Sequence, residues 1–173
     1  TTNKIRLENL LLILGFLRAL YNEGNVEQKP IAIDSQAVFI IHGHDNVLIA
    51  EVKKVVSVLG LTPIVLREQP NNGRTIIEKL ESWLNNAKCA IVLYTPCDIG
   101  YSVDAPEEIE NRARQNVVYE HGLFQGYLGR KRVITLKKGN VKLPGDVDGV
   151  GYIIVENPDW SKELSDNIME IDK

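Results

Sequence analysis

The chain has 173 residues, 44% of them hydrophobic and 25% charged, with a formal net charge of −3. That size suits one domain with an appendage, and the charge gives non-specific nucleic-acid binding no electrostatic support. The two cysteines, Cys89 and Cys97, exclude a disulfide framework and lack zinc-ligand spacing, so a reduced, cytoplasmic setting is expected.

Asn3 to about Asn22 reads as a helix, apolar on more than one face. Its apolar centre, Leu10–Leu20, contains Gly15 and Arg18 and is shorter than the roughly 20 residues of a membrane span. No small-residue cleavage site follows it, so neither a membrane span nor a secretory leader is expected. Polar Gly24–Ser35, with Pro30, reads as a linker. Ala37–Ile41 is a buried-strand pattern. A helix follows to about Leu59, capped by Asp45, ended by Gly60 and burying Val47, Leu48, Val52, Val55, Val56 and Leu59. Thr62–Leu66 is a second strand, Gln69–Gly73 a turn-rich loop, and Arg74 to about Asn86 an amphipathic helix. Cys89–Tyr94 is a continuous apolar strand, followed by a polar excursion over Thr95–Asn111. Ala113 to about Leu128 reads as a helix stopped by Gly129, with Gly122, Gly126 and Gly129 spaced for close helix–sheet packing. Strands at Arg132–Leu136 and Gly151–Val155 and a terminal helix at Asp159–Glu170 complete the pattern.

Short apolar strands alternating with amphipathic helices predict an α/β fold, a parallel sheet covered on both faces. Ligands in such folds bind beyond the C-terminal strand ends. His42–Asn46, Gln69–Gly73 and Thr95–Asn111 are the loops that converge there.

Three segments carry the candidate chemistry. In His42-Gly43-His44-Asp45, Gly43 permits close backbone approach, and Asp45 reads equally as a helix cap or a ligand contact. The i, i+2 histidines lack further metal ligands, so ribose or phosphate contacts are favoured over a metal site. In Gln69-Pro-Asn-Asn-Gly-Arg74, a rigid turn leads into a helix whose first turn holds Arg74. A cation is poorly placed near the positive helix end, which points to an anionic partner or to simple solvation. Glu78 and Glu81 follow on one helix face, and spacing alone leaves Glu78 open between a ligand-edge group and a solvated carboxylate. In Arg112-Ala-Arg-Gln-Asn-Val-Val-Tyr-Glu-His-Gly122, Arg114 and Asn116 at a helix start can hold phosphate or fix neighbouring loops. Cys89 belongs to a strand and reads as packing, while loop Cys97 has no base identifiable by spacing.

In chain order, Val38-Phe-Ile-Ile-His-Gly-His-Asp45, Glu68-Gln-Pro-Asn-Asn-Gly-Arg-Thr-Ile-Ile-Glu-Lys-Leu80, Ala90-Ile-Val-Leu-Tyr-Thr-Pro96 and the Arg112–Gly122 segment resemble a TIR-like family. This is the bacterial group predicted to bind nucleotides, found in anti-phage effectors such as TIR–STING fusions and Pycsar TIR effectors. The resemblance covers roughly residues 37–156, with one departure: Cys97 stands where the family often has Asp. It implies a flavodoxin-like three-layer sandwich, a five-stranded parallel sheet with helices on both faces. Residues 1–36 become a helix and linker toward a sensor or assembly region, 37–156 the TIR-like domain, and 157–173 a terminal helix or tail.

The resemblance also implies an NAD+ glycohydrolase whose catalytic carboxylate is Glu78, with Glu81 in reserve. Cleavage of the nicotinamide–ribose bond develops oxocarbenium character that a carboxylate stabilises, and the already cationic nicotinamide needs no strong acid to leave. His42, Gly43 and Asp45 are then placed at ribose or pyrophosphate, with Arg74 or Arg114 near phosphate. Gln69, Asn72, Gly73 and Asn116 complete the substrate-binding candidates. No metal and no cofactor are expected beyond NAD+ as substrate. Expected partners are further copies through TIR–TIR contacts and a cyclic-nucleotide sensor, with no nucleic acid and no membrane. The alternatives are a non-catalytic TIR adaptor and a nucleoside deoxyribosyltransferase-like enzyme.

Overall fold

The structure is a computed structural model that describes residues 36–65, 87–145 and 151–171. All of them fall within the unit Ile33–Lys173. The expected N-terminal helix and linker, the Gln69–Gly73 loop and the helix from Arg74 lie outside the described residues.

Two strands decide the architecture. In β1 (Ala37–Ile41), Val38–Ile41 are buried, and β3 (Ala87–Tyr94) is buried along its whole length. Side chains alternate across a strand, so each strand feeds two cores. Phe39, Ile41, Ala90, Val92 and Tyr94 enter one apolar cluster, while Val38, Ile40, Cys89, Ile91 and Leu93 enter the other. A sheet apolar on both faces needs helices on both. On the second face lie α1 (Asn46–Val58), through Leu48, Ile49, Val52 and Val56, and α3 (Trp160–Glu170), through Leu164 and Ile168. On the first lies α2 (Gln115–Leu128), through Val117, Phe124 and Leu128. Phe39 and Phe124 meet there as tilted rings 5.2 Å apart.

With β2 (Thr62–Ile64), β6 (Val133–Lys137) and β7 (Ile153–Ile154), the sheet has five strands in the order β2-β1-β3-β6-β7, every pair parallel. This is the flavodoxin-like order, with its reversal point between β1 and β3. The expected three-layer α/β sandwich is therefore observed.

Several local expectations shift. Within α1, Val47 points to solvent, 66% exposed, and Ile49 takes a core position instead. The strand expected at Arg132–Leu136 starts one residue later, because Arg130–Arg132 form a 3-10 turn. Arg132 Nε donates to Lys88 O at 2.7 Å, and its Nη2 to Ala87 O, tying that turn to β3. The polar excursion after β3 is a separate two-stranded antiparallel hairpin, β4 (Asp98–Ser102) with β5 (Ala105–Arg112). Gly60 and Gly129 end their helices with φ of 75° and 81°, where a Cβ is disfavoured.

Gly122 and Gly126 do not serve close packing. Both are exposed, and a Cβ added at either would meet nothing within 4 Å. Each therefore only weakens α2, by about 1 kcal/mol relative to Ala. Gly122→Ala and Gly126→Ala should each raise stability by about 0.5–1 kcal/mol in urea unfolding. Destabilisation by either would show that something does approach that helix face closely.

Candidate functional site

The parallel strands deliver their following residues to one edge. Lys138, after β6, donates its backbone N–H to Tyr94 O at 2.9 Å, and Val155, after β7, donates to Lys137 O at 2.9 Å. The loop after β1 lies against the loop after β3 at the topological reversal point. His44 N–H donates to Cys97 Sγ at 3.4 Å, and the Thr95 hydroxyl lies 3.1 Å from the same sulfur.

Gly43 makes this approach fit. A Cβ there would stand 2.4 Å from Cys97 Sγ and 3.5 Å from Arg114 Cγ. The requirement is closeness rather than unusual φ, since Gly43 is not among the described glycines with positive φ. His42 is half-buried, and its Nδ1 lies 2.8 Å from Gly43 O.

Asp45 acts as the cap of α1. Its Oδ1 accepts the Leu48 N–H at 3.0 Å, and its Oδ2 accepts from Lys138 Nζ at 2.6 Å. Partial burial pushes the Asp45 carboxyl up. The Leu48 bond and the Lys138 ammonium outweigh that and hold it below the usual range. Arg114, at the start of α2, donates from Nη1 to Asp98 Oδ1 at 3.0 Å. Asn116 is exposed in the first turn of α2. The structure thus brings together His42, Gly43, Asp45 and Arg114. Gln69, Asn72, Gly73, Arg74, Glu78 and Glu81 lie outside the described residues.

Sequence reasoning does not reach Lys138, nor the contact that Cys97 makes. Lys138 follows directly on β6, and that strand-end position is its signal in the sequence. Cys97, in sequence a loop thiol with no base in reach by spacing, is here the contact between two loops. No group of three or more His, Cys, Asp or Glu able to hold a metal occurs among the described residues. Beside the edge, a groove of about 600 Å³ opens between the hairpin and α2, bounded by Asp98, Ile99, Arg112, Val118 and Leu143.

Below the edge, Tyr94 and His121 form a buried pair, with the phenol oxygen 2.9 Å from His121 Nδ1. Burial pushes the Tyr94 phenol up to about 12 and the His121 imidazole down. His121 Nε2 has no hydrogen-bond partner among the described residues, which favours a neutral ring.

The family model "CAP12/Pycsar effector protein, TIR domain" matches residues 37–157. The Escherichia coli (strain K12) protein YuaY is 42% identical over 158 residues, covering 88% of this chain and 52% of that protein. Protein tirC of Dictyostelium discoideum is 39% identical over 140 residues, covering 76% of this chain and 69% of its own length. The chain thus spans about half the length of the first relative. The crystal structure of the TIR domain of the Toll-related receptor TRR-2 from Hydra magnipapillata superposes with a TM-score of 0.55 at 12% identity, covering 78% of this chain and 98% of that one. At that identity the likeness concerns the fold. No described helix is long and apolar enough to cross a membrane.

Two outcomes are expected. Gly43→Ala should destabilise by about 1–3 kcal/mol through overpacking, and less in a Cys97→Ala background, where the nearest sulfur is gone. Strict additivity in that double-mutant cycle would mean the sulfur is not the constraint. The second concerns acid. His121 is held neutral in the fold, so the unfolded chain binds more protons below about pH 6.5. Stability should be fully present above that pH and decline below it, with a slope from this residue of at most about 1.4 kcal/mol per pH unit. Urea unfolding between about pH 5 and 8 should show that slope flattened in His121→Asn.

Proposed function

Because the chain belongs to the family of CAP12/Pycsar effector TIR domains, we propose that it is the NAD+-cleaving domain of an anti-phage effector, with Glu78 as the catalytic carboxylate. The observation that carries this reading is the strand-end edge, where the loops after β1, β3 and β6 and the start of α2 assemble His42–Asp45, Cys97, Lys138 and Arg114. Glu78 falls in the chain between β2 and β3, which lie to either side of β1 in the sheet.

The reaction breaks the bond from ribose C1′ to the nicotinamide nitrogen. Its electron pair leaves with nicotinamide, which departs neutral. The ribose is left with oxocarbenium character, and a Glu78 carboxylate stabilises it until water adds to C1′ and loses a proton. Half-buried His42 is the proposed ribose contact, Gly43 acts by seating its loop on Cys97, and Arg114 and Lys138 suit the pyrophosphate. Asp45 then acts through Lys138, since both its oxygens are engaged within the chain. Gln69, Asn72, Gly73, Arg74 and Asn116 complete the proposed substrate contacts. Further copies of the chain and a cyclic-nucleotide sensor are the proposed partners, with self-association switching the domain on.

Concentrated protein incubated with NAD+ should release nicotinamide. Glu78→Gln should lower that rate by at least 100-fold while leaving the melting temperature within about 2 °C. Intact NAD+ at every protein concentration and assembly state would favour the adaptor reading. Undiminished turnover in Glu78→Gln would move the chemistry to another residue.

A further inference from the structure

The hairpin of β4 and β5 stands apart from the main sheet as a sheet of only two strands. Such a unit is marginal alone. One of its edges is occupied: Lys142 N–H donates to Asn111 O at 2.8 Å, and Arg112 bridges Lys142 in parallel. The other edge, along β4, has no strand partner among the described residues.

That edge carries few of the residues that usually guard one. Asp98-Ile-Gly-Tyr-Ser102 contains no Lys and no Pro. Its one charge, Asp98, is engaged by Arg114 at 3.0 Å. Ile99 and Tyr101 are 72% and 56% exposed, and Ile109 on β5 is 67% exposed. Alternation along β4 puts Ile99 and Tyr101 on one face, while the pairing with β5 is irregular between Gly100 and Ser102, where Tyr101 stands against Pro106–Ile109. The other face is covered at Gly100 by Arg112, whose Cδ lies 2.8 Å from where a Cβ would be.

We propose that the β4 edge pairs antiparallel with the β4 edge of a second copy, about a twofold axis at Gly100. The sequence of the edge is complementary to itself in that register. Ile99 faces the partner's Tyr101, an aromatic–β-branched cross-strand pair. Gly100 faces Gly100 at the axis, so no side chains are opposed there. Asp98 faces Ser102, so no like charges are opposed. A foreign strand would need its own matched pattern, whereas a second copy supplies one automatically, in an isologous, closed contact. The product is a four-stranded antiparallel sheet with Ile99 and Tyr101 of both copies gathered on one face. This inference rests on the self-association part of the proposed function and not on its chemistry.

Sedimentation of the 173-residue chain from micromolar to millimolar concentration should show a monomer–dimer equilibrium. Ile99→Lys/Tyr101→Lys should weaken it at least tenfold without lowering the melting temperature. The register is tested by disulfide trapping in a Cys97→Ser background. Chains carrying Ile99→Cys mixed with chains carrying Tyr101→Cys should cross-link under mild oxidation, and neither should do so alone. A monomer throughout the range, a dimer indifferent to the two lysines, or trapping without preference for the mixture would each overturn the proposal. None of these readouts involves NAD+, so they separate failure of this surface from failure of the catalytic reading.

Discussion

The constraint on which the structure depends is the burial of β1 and β3 on both faces. Neither strand presents a side to water, so α1 and α3 must cover one face and α2 the other. Parallel pairing follows from those helical crossovers and sends the strand ends to a common edge. The candidate site is a consequence of this packing: its loops meet because two adjacent central strands have no polar face.

At that edge the described cations are held by carboxylates: Lys138 by Asp45, Arg114 by Asp98, and Arg112 and Lys142 by Glu110. Lys142, then Arg112, draws the Glu110 carboxyl below its ordinary range. These pairs are partly exposed, where ion pairing contributes little to stability. Their more consistent effect is to fix direction. Asp45 ties the loop after β1 to the loop after β6, and Asp98 ties the hairpin to the start of α2. An anionic ligand would meet cations already oriented, and would compete with the carboxylates that orient them.

Much of the framework is legible in the sequence. Apolar runs at Val38–Ile41 and Cys89–Tyr94 are too continuous for a half-exposed strand, and Asp45 and Gly60 mark the ends of α1. What escapes is tertiary. The hairpin is polar and short, with Ile99, Tyr101 and Ile109 scattered among charges, so neither periodicity dominates. The glycines of α2 have packing spacing, but their orientation depends on which stripe faces the sheet; Val117, His121, Phe124 and Leu128 take it. For the site, position after a strand identifies His42–Asp45. The seat of Cys97 on Gly43 depends on two loops distant in sequence. The role of Glu78 comes from family resemblance rather than from spacing.

The exposed glycines of α2 have a dynamic consequence. The helix has no side-chain cap at Arg114, no acidic residue in its first turn and no basic residue in its last. Its helicity is conferred by one buried stripe rather than by its own residues. Amides of such a segment would exchange with solvent by local opening well below the free energy of global unfolding. Arg114 is the N-cap residue, at the end of α2 where fraying begins. Fraying at that end would loosen Arg114 and its pair with Asp98 together.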